Sequence, residues 1–339
     1  MSDSTQTDKE NQLVDRFGRT INYVRLSVTD RCDLRCVYCM PEDMTFVPRA
    51  QLLTLEEMET VGRSFIALGV DKIRITGGEP LVRKNILQLF NNLGAIDELK
   101  DLTLTTNGTQ LKKYAKQLKA AGVTRINISL DTLRADRFHE MTRVGELKRT
   151  LDGIEAAIAC DFGQIKLNSV VLKNYNHDEI LDLVKFVIDR GIDISFIEEM
   201  PLGENTHHDR AKTYYSSDEI LEDLQQHYEI LPSTMRTAGP TRYFQLGEHE
   251  NTHIGFISPH SHNFCESCNR VRVTAEGRLL LCLGQEHSVD LRHVIRANPG
   301  DRTALDQAII KSMEIKPKGH DFNLNSQTIL LRHMNMTGG

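Results

Sequence analysis

The sequence predicts an α/β protein: a barrel or partial barrel of six parallel βα units, followed by an α+β region. Three observations carry this reading. Between Tyr23 and Met200, short β-like runs alternate with amphipathic helical segments, which requires crossover connections between parallel strands. The runs have a period of two, with one apolar and one polar face. From about Ser216 the alternation gives way to an α+β pattern. Eight units would close a standard barrel, so six leave it partial.

The 339 residues are enough for one large domain and a smaller one. The expected divisions are a disordered leader over 1–16, a barrel over 17–200 and a C-terminal region over 201–339. Met1–Asn11 is polar and acidic, with neither the basic nor the apolar part of a signal peptide. No apolar run is long enough to span a bilayer. The net charge of −6 argues against nonspecific nucleic-acid binding.

In chain order, strands are expected at Tyr23–Thr29, Lys72–Gly77, Leu102–Asn107, Arg125–Asp131, Ile165–Val171 and Asp193–Met200. Helices are expected near Leu55–Leu68, Ile86–Leu93, Leu111–Ala121, Leu151–Cys160 and Ile180–Arg190. The apolar strand face must meet the helices, so the polar face lines the barrel. That face carries Arg25, Lys72, Arg74 and Lys166, together with Thr105, Asn127 and Ser129. Buried cations need anionic partners. Asp131 and neighbouring carboxylates could neutralise one or two, but four on one lumen face suit a polyanionic ligand better, with phosphates the natural candidate. Residues 201–220 read as a linker, with His207 and His208 as solvated loop residues. Further strands are expected at Thr241–Leu246, His253–Ser258, Arg270–Thr274 and Arg278–Leu283, with the last two joined by the Ala275-Glu276-Gly277 turn.

The seven cysteines fall into Cys32/Cys36/Cys39, a lone Cys160 and Cys265/Cys268/Cys282. Two triplets and a singleton suit metal chemistry in a reducing compartment, hence the cytoplasm, better than a disulfide framework. Cys160 reads as a small buried hydrophobe. Each triplet is one ligand short of a closed zinc site or an all-cysteine iron–sulfur cluster. Zinc, completed in the second triplet by a histidine such as His262, is the alternative reading.

C-x3-C-x2-C with Tyr38 beside the last cysteine resembles the signature of the radical S-adenosylmethionine (SAM) enzymes. Gly77-Gly78-Glu79-Pro80 resembles their segment for the SAM amino group. Together with RLSVTDRC (25–32), IRITGGEP (73–80), LTTNG (104–108), INISLD (126–131), FIEEM (196–200), FCESCNRVR (264–272), Cys282 and the terminal Gly-Gly, the chain resembles the GTP 3′,8-cyclases of molybdenum cofactor biosynthesis. The resemblance covers about Phe17 to the end.

It implies a partial (βα)6 TIM-type barrel whose open side is covered by the C-terminal α+β domain. It implies two [4Fe–4S] clusters, on Cys32, Cys36 and Cys39 and on Cys265, Cys268 and Cys282. The first would cleave SAM reductively to a 5′-deoxyadenosyl radical, which abstracts the C3′ hydrogen of GTP. Closure of C3′ on C8 then gives 3′,8-cyclo-7,8-dihydro-GTP. SAM would meet Tyr38, Gly78, Ser129 and Met200. GTP would meet Arg25, Arg74, Thr105, Lys166, Arg270, Val271 and Arg272, with Lys72 a candidate on the same face. Gly338 and Gly339 would assist hydrogen abstraction. Implied partners are a cyclic pyranopterin monophosphate synthase taking the product, a flavodoxin or ferredoxin as electron donor, and a second copy in a homodimer. No nucleic acid or membrane is implied.

There is one departure. The family usually carries arginine before the Phe-Ile-Glu run, and this chain has Ser195. Either GTP binds more weakly or another cation substitutes, and Ser195→Arg is expected to tighten binding. The rival readings are a different radical SAM enzyme with an auxiliary cluster, a two-cluster electron-transfer protein and a zinc-stabilised module.

Overall fold

The computed structural model describes residues 12–203, 209–237, 239–322, 330 and 332–338. Six parallel strands run in sequence order: β1 (Tyr23–Ser27), β2 (Lys72–Thr76), β3 (Asp101–Thr106), β4 (Val123–Ser129), β5 (Gln164–Val170) and β6 (Asp193–Ile197). The helices between them are α1 (Leu55–Ala67), α2 (Ile86–Gly94), α3 (Leu111–Ala120), α4 (Ala135–Thr142), α5 (Leu147–Ile158) and α6 (Ile180–Ile188). Together they form the partial TIM-type barrel.

Local chemistry starts α1 where the pattern predicts it. Thr54 Oγ1 accepts from the Glu57 amide, and the Glu57 carboxylate accepts from the Thr54 amide, closing a capping box. Burial then fixes the faces. Ile73, Ile75, Leu104, Ile126, Ile128, Leu167 and Ile194 are completely buried, as are Phe65 of α1 and Phe90 of α2. Since side chains alternate along a strand, this places Arg25, Arg74, Asn127 and Lys166 on the inner side of the barrel.

The C-terminal residues add β7 (Ile230–Pro232), β8 (Arg242–Leu246), β9 (His249–Ile257), β10 (Arg270–Val273), β11 (Arg278–Leu280) and β12 (Ser288–Asp290). They lengthen the barrel sheet at both ends. β9 pairs in parallel with β6, and β10 pairs in parallel with β1. The result is one twelve-stranded sheet in the order β12-β11-β10-β1-β2-β3-β4-β5-β6-β9-β8-β7. Without β9 and β10, both barrel edges would present unpaired backbone groups. The β10–β11 turn has Gly277 at φ +82°, a left-handed position that suits glycine.

Several expectations are revised. Residues 12–16, expected as part of a disordered leader, are packed: Leu13 is buried and Asp15 pairs with Arg19 at 2.6 Å. Residues 210–213 are helical within the expected linker, and a second helix over 217–225, started by a Ser216–Glu219 capping box, begins before its expected end at 220. α4 was unforeseen; it is short and ends where Arg143 takes φ +63°. Cys160 lies beyond the end of α5 and is only partly buried. His207, His208 and Gly339 lie outside the described residues.

Candidate functional site

The first cysteine triplet lies in the loop after β1, at the C-terminal end of the barrel strands. Its stem is locked against the glycine segment after β2. The Gly78 amide donates to Thr29 O at 2.8 Å, and Glu79 N donates to Arg31 O at 2.8 Å. A Cβ on Gly77 would lie 2.6 Å from Thr29 O, and one on Gly78 would lie 2.5 Å from Arg31 O. The glycines therefore admit the backbone of the cysteine loop itself.

Cys32, Cys36 and Cys39 line a cavity of about 1050 Å³ with Tyr38, Gly77, Gly78, Ser129, Met200 and Asn335. Acidic groups surround it. Glu79 is fully buried and accepts from Leu81 N, Thr106 Oγ1 and Asn107 N at 3.0, 2.8 and 2.6 Å, yet burial raises its carboxyl to about 8. Burial, then the Glu79 charge, pushes the Cys32 thiol up, and burial lifts Cys39 to about 12. Asp131 does not neutralise lumen cations. Its carboxylate accepts from Tyr38 Oη at 2.6 Å and from Val170 N at 2.8 Å, beside the cysteines.

The second triplet lies around β10 and β11. Cys265, Cys268 and Cys282 line a cavity of about 510 Å³ with Met200, Arg270, Val271, Arg272 and His320. Here the surrounding charge is positive. Lys316 is fully buried and donates to Leu281 O at 2.5 Å and Arg270 O at 3.1 Å, with Cys268 Sγ 3.9 Å away. Burial raises the Cys268 thiol, but Arg270 and Lys316 outweigh it and hold the group below its ordinary value. His262 does not join this triplet; it contacts Asp218 at 2.7 Å. Among the described residues, no three His, Cys, Asp or Glu side chains are grouped to hold a metal ion. Each triplet faces an open cavity.

Between the two lies a cavity of about 710 Å³ lined by Arg25, Lys72, Arg74, Arg125, Lys166, Arg270 and Arg272, with no carboxylate among its described lining residues. Arg74 donates to Tyr23 Oη at 2.8 Å and to Thr105 Oγ1 at 3.3 Å. Lys72 pairs with Asp101 at 2.9 Å, and Arg125 shares that carboxylate. Arg25 and Arg272 each donate to Gly338 O at 2.8 Å, which brings the tail into the site. Gly338 has φ +75°, and a Cβ there would lie 2.3 Å from Thr76 Cγ2.

Of the residues expected at the nucleotide, Arg25, Lys72, Arg74, Lys166, Arg270 and Arg272 line this cavity, whereas Thr105 lines the first cysteine cavity and Val271 the second. Sequence reasoning missed four further lining residues. Arg125 and Tyr23 follow the same alternation as Asn127 and Arg25, so extending the period by one step would have found them. Tyr243 and Thr241 reach the lumen from β8 and its approach, and no local pattern signals this. Ser195 also differs from expectation. It is completely buried against Gly255 and does not line the cationic cavity. Arg125 supplies a lumen cation instead.

The fold and the cysteine loop define a radical SAM enzyme. Residues 26–187 match the Radical SAM superfamily and residues 192–322 match Molybdenum Cofactor Synthesis C. The first of these implies SAM and a [4Fe–4S] cluster. The chain belongs to the GTP 3′,8-cyclase family. It is 58% identical to the GTP 3′,8-cyclase of Saccharophagus degradans, over 96% of this chain and 98% of that one. The Marinobacter nauticus GTP 3′,8-cyclase is 56% identical, over 97% and 99%. Among solved structures, Streptococcus suis SuiB superposes with a TM-score of 0.60 at 17% identity, over 92% of this chain and 79% of that one. That likeness concerns the fold alone. No helix among the described residues is long and apolar enough to cross a membrane.

Proposed function

We propose that this chain converts GTP to 3′,8-cyclo-7,8-dihydro-GTP in the first step of molybdenum cofactor biosynthesis. One observation carries the reading of the site: the two cysteine cavities and the cationic cavity share Met200 and Arg272 in their walls. A nucleotide in the cationic cavity could therefore present its ribose to the first triplet and its base to the second.

Cys32, Cys36 and Cys39 would hold the first [4Fe–4S] cluster, and Cys265, Cys268 and Cys282 a second. When bound, the first cluster and SAM supply reductive cleavage and abstraction of a hydrogen atom from C3′ of GTP. The chain's own residues bind, orient and shield. Tyr38, Gly78, Ser129 and Met200 would wall SAM. Arg25, Lys72, Arg74, Thr105, Arg125 and Lys166 would take the triphosphate through charge-assisted hydrogen bonds. Arg270, Val271 and Arg272 would flank the nucleotide at the second cluster. The hydrogen bonds from Arg25 and Arg272 hold Gly338 beside the same cavity, which supports the reading that the tail assists hydrogen abstraction.

The product would pass to a cyclic pyranopterin monophosphate synthase, with a flavodoxin or ferredoxin as electron donor, in the cytoplasm. The division near residue 200, the homodimer and the second cluster belong to the same proposal. Anaerobic reconstitution tests it, with iron per chain and 5′-deoxyadenosine measured with and without GTP. Two clusters' worth of iron and GTP-dependent 5′-deoxyadenosine, with a cyclised guanine product, are expected. Zinc in the second site, or SAM cleavage indifferent to GTP, would overturn it.

A further inference from the structure

Lys166 is the lumen cation with the least obvious anchor. It lies on β5, is buried, and opposes Asp193 of β6, but that carboxylate accepts from Gln164 Nε2 and the His253 amide and forms no salt bridge with Lys166 among the described residues. Its ammonium donates instead to two neutral hydroxyls, Tyr243 Oη at 3.0 Å and Thr241 Oγ1 at 3.3 Å, with the Tyr243 ring centroid 5.2 Å away. Those partners come from the far side of two intervening strands. In register, Asn168 of β5 opposes Ser195 of β6, Ser195 opposes Gly255 of β9, and Gly255 opposes Tyr243 of β8.

Lys166 itself opposes Asp193, and Tyr243 reaches it over the neighbouring row, that of Asn168, which is nearly flat. Strands are spaced by roughly 4.8 Å, so the pair must bridge β6 and β9 across the sheet face. Only a hydroxymethyl group at 195 and a hydrogen at 255 stand in that row. A Cβ on Gly255 would lie 2.3 Å from Thr241 Cγ2, 2.6 Å from Ser195 Oγ and 3.3 Å from Tyr243 Cε1. The packing has a cost, because Ser195 Oγ is buried without a hydrogen-bond partner among the described residues.

We infer that Tyr243 is a positioning residue for the phosphate end of the substrate, stationing Lys166 in the cationic cavity, with Ser195 and Gly255 as the gap that lets it reach. This rests on the GTP reading above. A hydroxyl is suited to the task. It accepts one ammonium proton and fixes the Lys166 side chain, while adding no formal negative charge to compete with phosphate. A carboxylate in its place would partly neutralise the cation. Thr241 steadies the ammonium from the same side, and both residues line the cavity.

Equilibrium dialysis of the anaerobically reconstituted protein against GTP and against guanosine tests this. Tyr243→Phe should weaken GTP roughly threefold to tenfold, the worth of about one hydrogen bond, and leave guanosine unchanged. Gly255→Ala should displace the ring and give the same phosphate-specific loss. In a Lys166→Met background, Tyr243→Phe should have no further effect. In turnover, KM for GTP should rise with kcat held. Equal GTP affinity in Tyr243→Phe, an equal loss for GTP and guanosine, or a loss that persists without Lys166 would overturn the role. A parent protein that binds neither nucleotide would overturn the GTP reading, and this inference with it.

Discussion

The two cysteine triplets contain the same number of thiols but sit in opposite fields. The first lies among carboxyl groups: Asp33 bears on Cys32 and Asp131 on Cys36 and Cys39, while Glu79, whose buried carboxyl keeps its proton up to about pH 8, adds charge at Cys32 only above that. The second lies among cations: Arg270, Lys316 and Arg19 bear on Cys268. A negatively charged cluster would be harder to reduce in the first setting and better neutralised in the second. Under the proposed function, that division would suit a first cluster that delivers a strongly reducing electron and a second that holds the substrate. Three cysteines alone therefore do not set what a site does; the buried groups behind them contribute.

The sharpest way to break the comparison is to remove one thiol from each triplet. Cys36→Ser should abolish SAM cleavage, whereas Cys282→Ser should lose about half the iron while SAM cleavage persists and no longer responds to GTP. Iron analysis and 5′-deoxyadenosine yield separate the two outcomes. Equal loss of SAM cleavage in both variants would erase the distinction.

A smaller effect follows from Glu79. Burial raises its folded carboxyl to about 8, while an unperturbed glutamate titrates near 4.5. Between those values the folded state keeps a proton that the unfolded chain has released. Stability of the iron-free protein should therefore be greatest at and below about pH 4.5 as far as this group is concerned. It should fall as pH rises through about 8, by a few kcal/mol. Glu79→Gln should flatten that slope in denaturant unfolding at several pH values, and an unchanged slope would assign it to another group.

Lys316→Met tests the opposite field. It strips the Leu281 and Arg270 carbonyls of a buried donor, costing about 1–3 kcal/mol of stability. It should also lower the reduction potential of the second cluster and leave the first in place, as read by EPR-monitored titration of the reconstituted protein. A matching shift in both clusters would argue against a local field. Least of all, Tyr38→Phe removes the 2.6 Å hydrogen bond to Asp131 and should cost about 1 kcal/mol in thermal unfolding. Asp131 retains the Val170 amide, so the site should stay assembled, with SAM affinity as the check.

Much of this was legible in the sequence because short-range rules govern it. Strand–helix alternation determined the six parallel units, and a period of two determined which side chains face the lumen, so Arg25, Arg74 and Lys166 could be placed before any coordinates. The spacing of each cysteine triplet, and the motifs around them, carried the family. Only the tertiary structure decided which elements from distant parts of the chain complete the site. The attachment of β9 to β6 and β10 to β1 depends on backbone pairing across long sequence separations. It brings Tyr243 over Gly255 to Lys166, and Gly338 between Arg25 and Arg272. The fields at the two triplets likewise arise from groups such as Asp131 and Lys316, each remote in sequence from the thiols it faces. Their effects depend on burial and distance, which composition and spacing do not encode.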